Sequence, residues 1–524
     1  MGISLLHRGA RRALLLLALA CAAATAQEGS GPPPLREEAT EPPDLPPDAA
    51  PSDAAAAAEA AGKEQAAPET PKDESAAAAA AAEQEKAREK AVRWEVEGYL
   101  YEQVQYENAS GEASDNDLDS RTGVLLDAMR GEEGWHVRLN AMLHWDMAGQ
   151  SGPNDPLRDF WDQFDGDAQG RLYELFVDLP RFGRDDEFLL RVGRQYLEEE
   201  VFLQFDGGRL DIDLGKSVDG LNVSIIGGVP VYFPEESREG DWLVGVVARG
   251  KISGKARGRI SYYHVSQNFD GINDPVVDPG SQAFVVPAGQ VDDDLLALSV
   301  WVDLPENFRF YGMFDFLEWD PNELQLQLRW FSSDTRWTVI AQYDELFDRL
   351  VNVANELSPY VPLLGAYQPF LLASIRANYR PSEQWVVLAG ISYRTLEDDS
   401  DEGTFNHEYW QYQAGATRLG LLEDRLDATL TVNGYSSDAG PDVFAFTGNV
   451  DYHLNTKVSI AAGIDYAYYK YFVQQGTEAD NVWTYYVNVE WEIRPKMELD
   501  AGISVDVDDL FTYTQLTLRF TVRF

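Results

Sequence analysis

The sequence predicts an all-β chain, a transmembrane antiparallel up-and-down β-barrel of about 22 strands (range about 18 to 22) behind a disordered or helical leader. Three observations lead there. From Trp94 onward apolar and polar residues alternate in one run after another, as in strands with one apolar and one wetted face. Many runs start or end on Trp, Tyr or Phe, whose amphipathic rings suit a membrane–water interface. The links between runs divide into a short class and a longer, mostly acidic class, expected to take turns along the chain as the two rims of a barrel alternate.

The elements follow in order. His7, Arg8, Arg11 and Arg12 form a charged start, residues 13–23 an apolar core, and Ala24-Thr25-Ala26 a cleavage site, so 1–26 reads as a secretory signal peptide. Its core is too short to anchor in a bilayer. The single cysteine, Cys21, lies within it, which leaves the expected mature chain without disulfides, thiolate metal sites or a cysteine nucleophile. Residues 27–92 are rich in Ala, Pro, Glu and Asp and poor in bulky apolar residues. That is the composition of a periplasmic linker that cannot bury enough surface to fold, with a possible helix over 74–92.

The barrel is expected over 93–524. Trp94, Val96, Gly98 and Leu100 alternate with Glu95, Glu97, Tyr99 and Tyr101. Trp135 to Met147, Leu324 to Trp330 and Trp483 to Ile493 repeat the pattern, as do many runs between them. Short links are expected at Arg494-Pro495-Lys496, Leu454-Asn455-Thr456, Arg380-Pro381-Ser382, 331–336 and 304–307, and long ones at 469–481, 395–408, 345–369, 267–293 and 149–170. Leu350, Val351, Val353, Leu357, Leu363 and Leu364 make 345–369 apolar enough to pack, either folded inward as a constriction or as an outer cap or surface helix. In the last run Leu516, Leu518, Phe520, Val522 and Phe524 share one face. An aromatic end on such a strand resembles the assembly signal of outer-membrane barrels, with Phe520, Val522 and Phe524 as the residues the barrel assembly machinery reads.

With the apolar face turned to lipid, the other face lines the lumen. It carries Arg138, Arg191, Arg209, Arg257, Arg259, Arg309, Arg329, Arg376, Arg394 and Arg519 beside acids such as Glu174, Asp178, Asp211, Asp465, Glu490 and Asp500. Arg191, Arg194, Arg209, Arg257 and Arg259 are expected on neighbouring strands, where guanidinium groups suit carboxylates. Arg194 falls on the apolar parity of its strand, so a bulge or strand end has to accommodate it.

Arg191-Val192-Gly193-Arg194-Gln195, Phe205-Asp206-Gly207-Gly208-Arg209-Leu210 and Asp219-Gly220-Leu221 together resemble the strand–loop–strand signature of the alginate-export family of outer-membrane porins. The likeness covers roughly 30 residues, and it implies an electropositive passage near Arg191, Arg194 and Arg209. The acidic insertion Glu198-Glu199-Glu200 departs from that pattern.

Other classes are set aside. A net charge of −46, from 88 acidic and 42 basic residues, argues against nucleic acid as a partner. Asp115-Asn116-Asp117-Leu118-Asp119 has alternate carboxylates but lacks the Gly and Glu of a calcium loop, so no metal and no cofactor is expected. His136 and His144 share a face but stand roughly 27 Å apart along a strand, too far for one reaction, and no enzyme is expected. The expectation is a bacterial outer-membrane channel for polar solutes, acidic saccharides or organic anions among them, in contact with lipid and lipopolysaccharide. One alternative is a conduit for secreted exopolysaccharide working with periplasmic export proteins. The other is a closed surface receptor or structural barrel.

Overall fold

The computed structural model describes the chain from Trp94 to Phe524. Outside the described residues lie 1–93 and the segments 112–114, 132–133, 149–156, 158–167, 185, 199–201, 216–219, 232–239, 270–271, 274–284, 287–288, 348–368, 398–407, 438–442, 473–476 and 509–510. The expected signal, linker and helix, most of the constriction loop and most of the long link 395–408 fall there.

The strands are β1 (Trp94–Gly111), β2 (Asp115–Arg130), β3 (His136–Ala148), β4 (Ala168–Asp178), β5 (Phe188–Glu198), β6 (Phe202–Asp213), β7 (Asn222–Pro230), β8 (Trp242–Ser253) and β9 (Ala256–Phe269). A small ribbon, β10 (Ile272–Asn273) with β11 (Val285–Val286), stands apart from the main sheet. Then come β12 (Gly289–Leu304), β13 (Phe308–Leu317), β14 (Asp320–Phe331), β15 (Trp337–Leu346), β16 (Phe370–Ser382), β17 (Trp385–Leu396) and β18 (Tyr409–Gly420). The last are β19 (Leu426–Ser436), β20 (Val443–Asn455), β21 (Val458–Phe472), β22 (Thr477–Arg494), β23 (Met497–Val507) and β24 (Phe511–Arg523).

Apart from β10 and β11, each strand pairs antiparallel with its chain neighbour, and β1 pairs with β24, which closes a ring of 22 strands. Closure gives every strand of the ring a partner on each side, the condition for strands to cross hydrocarbon. The seam runs from Tyr99 opposite Arg523 to Gly111 opposite Phe511. The Phe524 N–H donates to the Gly98 carbonyl at 3.0 Å, so the terminal aromatic is tied across that seam.

Parity follows the expectation. Val96, Leu100, Val244, Val246, Ile375, Val387, Leu430, Val487, Ile503 and Leu518 are exposed on the outer face, which in water would be a fault and in a bilayer is a lipid-facing belt. Aromatic pairs bound it. Trp337 stacks on Tyr379 at 4.1 Å near the rim that carries the chain ends of the barrel, and Tyr393 lies 4.5 Å from Trp410 near the far rim. A closed, belted barrel of this kind is an outer-membrane form.

The loops depart from strict alternation. At the terminal rim β16–β17, β20–β21 and β22–β23 are joined by tight turns, but β4–β5 and β6–β7 have longer links, 179–187 and 214–221. At the far rim β13 and β14 are joined by Glu318 and Trp319 alone, with φ of 52° and 68°. Two left-handed residues of this kind match the twist of a two-residue hairpin. Ring closure fixes the direction of each reversal and leaves its length free, which is why the sequence rule fails there.

Candidate functional site

Register brings out what periodicity hides. On the lumen face Arg191 of β5 stands directly opposite Arg209 of β6, and Arg249 of β8 opposite Arg259 of β9. Lys251 faces Arg257 on the same pair of strands, and Arg309 of β13 faces Arg329 of β14. Across the ring, Asp427 of β19 faces Asp451 of β20, Glu490 of β22 faces Asp500 of β23, and Glu492 faces Glu498. Like charges directly opposite each other weaken a sheet, so a chain selected for stability alone has no reason to place them in register on both walls.

The walls oppose one another. In a ring of 22, β9 and β22 are eleven strands apart, as are β6 and β19. Their inward faces are therefore held across the lumen: β9 presents Arg257 and Arg259 against Glu490 and Glu492 of β22, while β6 presents Arg209 beside Asp211 against Asp427 of β19.

The expected arginines divide by what holds them. Arg191 is clamped by Asp178 through two hydrogen bonds of 2.7 and 3.0 Å and lies over the Phe176 ring at 3.8 Å. His136 donates to or accepts from both Asp178 and Asp127 at 2.9 Å, and Arg138 reaches Glu174 at 2.9 Å. Arg209 bonds Asp211 at 2.9 Å and the Ser224 hydroxyl at 3.3 Å. Arg309 meets Asp303 at 3.4 Å, both well exposed, and Arg329 donates to Gln327 at 3.4 Å. Arg259 stands between Arg249 on β8 and Ser299 on β12. Arg257 is exposed, and among the described residues no carboxylate lies within ion-pair distance of it.

Arg194 is not in the lumen with the others. It faces outward and makes a two-point pair with Asp206, 2.8 Å at each contact, which is how its apolar parity is accommodated. The cluster expected on neighbouring strands is also spread, since β7 and β8 separate β6 from β9. Arg249 and Lys251 are lumen-facing bases that the sequence reading passed over. Their parity on β8 was the available signal.

The acidic wall ends at β24, where Arg523 contacts Glu498 at 2.6 Å and Arg519 stands opposite Asp500 and lies 4.3 Å from the Tyr101 ring centre. At the terminal rim a recess of about 790 Å³ is lined by Arg425, His453, Lys457, Glu490, Glu492 and Glu498, among others. Near the far rim the carboxylates of Asp117, Asp119 and Asp146 come within 4.8 Å of one another, with His144 3.0 Å from Asp119. His136 and His144 are thus each engaged with separate acids and do not share a site.

No family model matches the chain, and no curated protein sequence matches it. Among solved structures it is similar to a BenF-like porin from Pseudomonas fluorescens Pf-5, at 10% identity and a TM-score of 0.39 over 82% of this chain and 99% of that one. It is similar to the P pilus usher PapC translocation pore, at 8% and 0.43 over 81% and 99%. The outer membrane protein OpdK from Pseudomonas aeruginosa gives 8% and 0.39 over 82% and 99%. Likenesses this distant say nothing about a solute.

Proposed function

We propose that the protein is an outer-membrane channel that passes small polar solutes through a water-filled lumen whose two walls carry opposite charge. The observation that supports it most is the register of like charges on each wall, Arg249 against Arg259 and Glu490 against Asp500. Such pairs are costly to a sheet and useful to ions in transit. A dipolar solute turns its carboxylate toward Arg257 and Arg259 and its cationic or hydroxyl end toward the carboxylates opposite. Organic anions fit the basic wall in the same way.

The acidic-polysaccharide reading has the motif likeness in its favour and this geometry against it. Of its three arginines, Arg191 and Arg209 are held by Asp178 and Asp211, and Arg194 points away from the lumen. Planar-bilayer recording of the purified protein tests the channel. Ohmic steps with a salt-dependent reversal potential are expected, and persistent silence from correctly folded protein would favour a closed receptor barrel.

A further inference from the structure

Among the described residues the barrel wall is torn at one place. Barrel neighbours elsewhere share seven or more residue pairs, but β4 and β5 share four, Leu175–Arg194 to Asp178–Arg191. Beyond Arg194 the ladder stops, while β5 stays paired with β6 as far as Glu198–Phe202, and β6 with β7 as far as Phe205–Pro230. What crosses the gap is side chains. Gln204 Nε2 donates to the carbonyls of Leu172 and Tyr173 at 2.9 and 2.8 Å, and Arg194 reaches the Leu172 carbonyl at 3.4 Å.

Gln204 faces outward by parity and is nevertheless only 7% exposed, because the outer side of the hairpin lies against β4. Its inner side is covered as well. Leu197, Leu203 and Phe205 are 0–2% exposed and belong to one cluster with Leu243, Tyr263 and Val265 on the lumen faces of β8 and β9. In a wall flush with an open lumen these side chains would be wet. The hairpin is therefore tucked inward.

A row of glycines crosses the hairpin's base. Gly193 pairs with Gly207, Gly207 with Gly228, and Gly208 with Gly227. Gly193 has φ of 132°, and a Cβ there would lie 2.1 Å from the Leu175 carbonyl oxygen; at Gly207 it would lie 2.2 Å from that of Gly227. No side chain fits at Gly193, Gly207 or Gly228, where a Cβ would meet backbone of the next strand, so the three strands approach closely there and the glycines leave the backbone free to bend.

We propose that the paired strand ends 194–198 of β5 and 202–206 of β6 are a hinged flap that narrows the lumen, folding on the glycine row and latched to β4 by Gln204. This rests on the channel reading for its effect on flow. The latch itself does not. Two outward-facing groups, Gln204 and Arg194, satisfy carbonyls that a ladder would otherwise bind, and side-chain bonds to a backbone open more readily than a continuous strand pairing.

The test uses the full protein, Gln204→Ala, and a Tyr173→Cys/Gln204→Cys pair, the barrel segment having no cysteine of its own. Hydrogen exchange of amides 194–206 is expected to rise about tenfold in Gln204→Ala with β21 and β22 unchanged. In planar bilayers the variant is expected to show a larger main conductance or frequent steps to one, and the oxidised pair a smaller, quiet one that reductant restores. Exchange in Gln204→Ala as slow as in wild type, or a locked pair with the conductance of the reduced one, would overturn the flap. If wild type and variants are all silent, the channel reading falls, and exchange alone decides whether the tip is hinged.

Discussion

Asp451→Asn, Glu490→Gln and Asp500→Asn together remove three carboxylates from the lumen faces of β20, β22 and β23 and change little in volume. An ion passing roughly 10 Å from one such charge in water feels about 0.4 kcal/mol, so three charges amount to about 1.2 kcal/mol without screening. At about 0.01 M salt the screening length is about 30 Å and about 0.9 kcal/mol survives, a change of about fivefold in local cation concentration. At about 1 M salt the length is about 3 Å and almost nothing survives. Reversal potentials across a salt gradient, recorded at both extremes, should then show cation preference falling about fivefold at low salt and unaltered at high salt.

The opposite wall supplies the control. Arg257→Gln with Arg259→Gln and Arg329→Gln should move selectivity the other way by a similar factor. Asp500→Asn also relieves the repulsion across from Glu490 and should stabilise the folded barrel by about 0.5 kcal/mol, read by urea unfolding in detergent. A low-salt reversal potential indifferent to the triple change, or a shift that persists at high salt, would refute the two-walled lumen. Persistence would point to altered pore shape in place of charge.

Three further outcomes are expected. A double-mutant cycle of Arg191→Met with Asp178→Asn should give a coupling of about 2 kcal/mol in unfolding, discounted for the 27% exposure of the arginine; coupling near zero would mean that the clamp is not formed. Hydrogen bonds from Ser332 and from the Arg336 N–H hold the Asp334 carboxyl in the β14–β15 turn below the usual carboxylate range. Its contribution is therefore complete above the unfolded value near ~3.9 and lost as pH falls through the lower folded one, so Asp334→Ala and wild type should differ at neutral pH and converge in acid; a gap that persists in acid would contradict this. Glu102 lies on the lipid-facing parity between Leu100 and Val104, accepting from the Ser120 and Thr122 hydroxyls, and Glu102→Leu should stabilise the barrel in vesicles by about 1 kcal/mol, with a loss of stability counting against a lipid-exposed position.

How much was legible depends on the kind of information each feature needs. Alternation is local, so the strand number and the two faces of each strand were readable from the chain. Register is not local. Sliding β6 by two residues against β5 leaves every face intact and removes the Arg191–Arg209 pairing, so no periodicity argument finds it. The same limit hid Glu490 against Asp500. Loop length failed differently. Glu318-Trp319 contains none of the Gly or Asn that usually marks a two-residue turn, and the sequence offered no sign that β13 and β14 meet there. Arg194 was half-read, since its parity was recognised but its partner Asp206 belongs to the next strand.

Gly207-Gly208 and Gly227-Gly228 stand in the sequence as two dipeptides without evident relation, and only pairing makes them one line across the sheet. That line lies two residues from the basic pair, with Gly193 beyond Arg191 on β5 and Gly207 before Arg209 on β6. Below it β5 is fixed to β4 by the Arg191–Asp178 clamp and a ladder that ends at Leu175–Arg194; beyond Arg194 the hairpin is free of that ladder and leans on apolar side chains. The clamp thus has a mechanical consequence apart from charge. It holds the base of the hairpin rigid while the glycines let the tip turn, so weakening Asp178 should loosen the whole hairpin, whereas weakening Gln204 should loosen only what lies beyond Gly193.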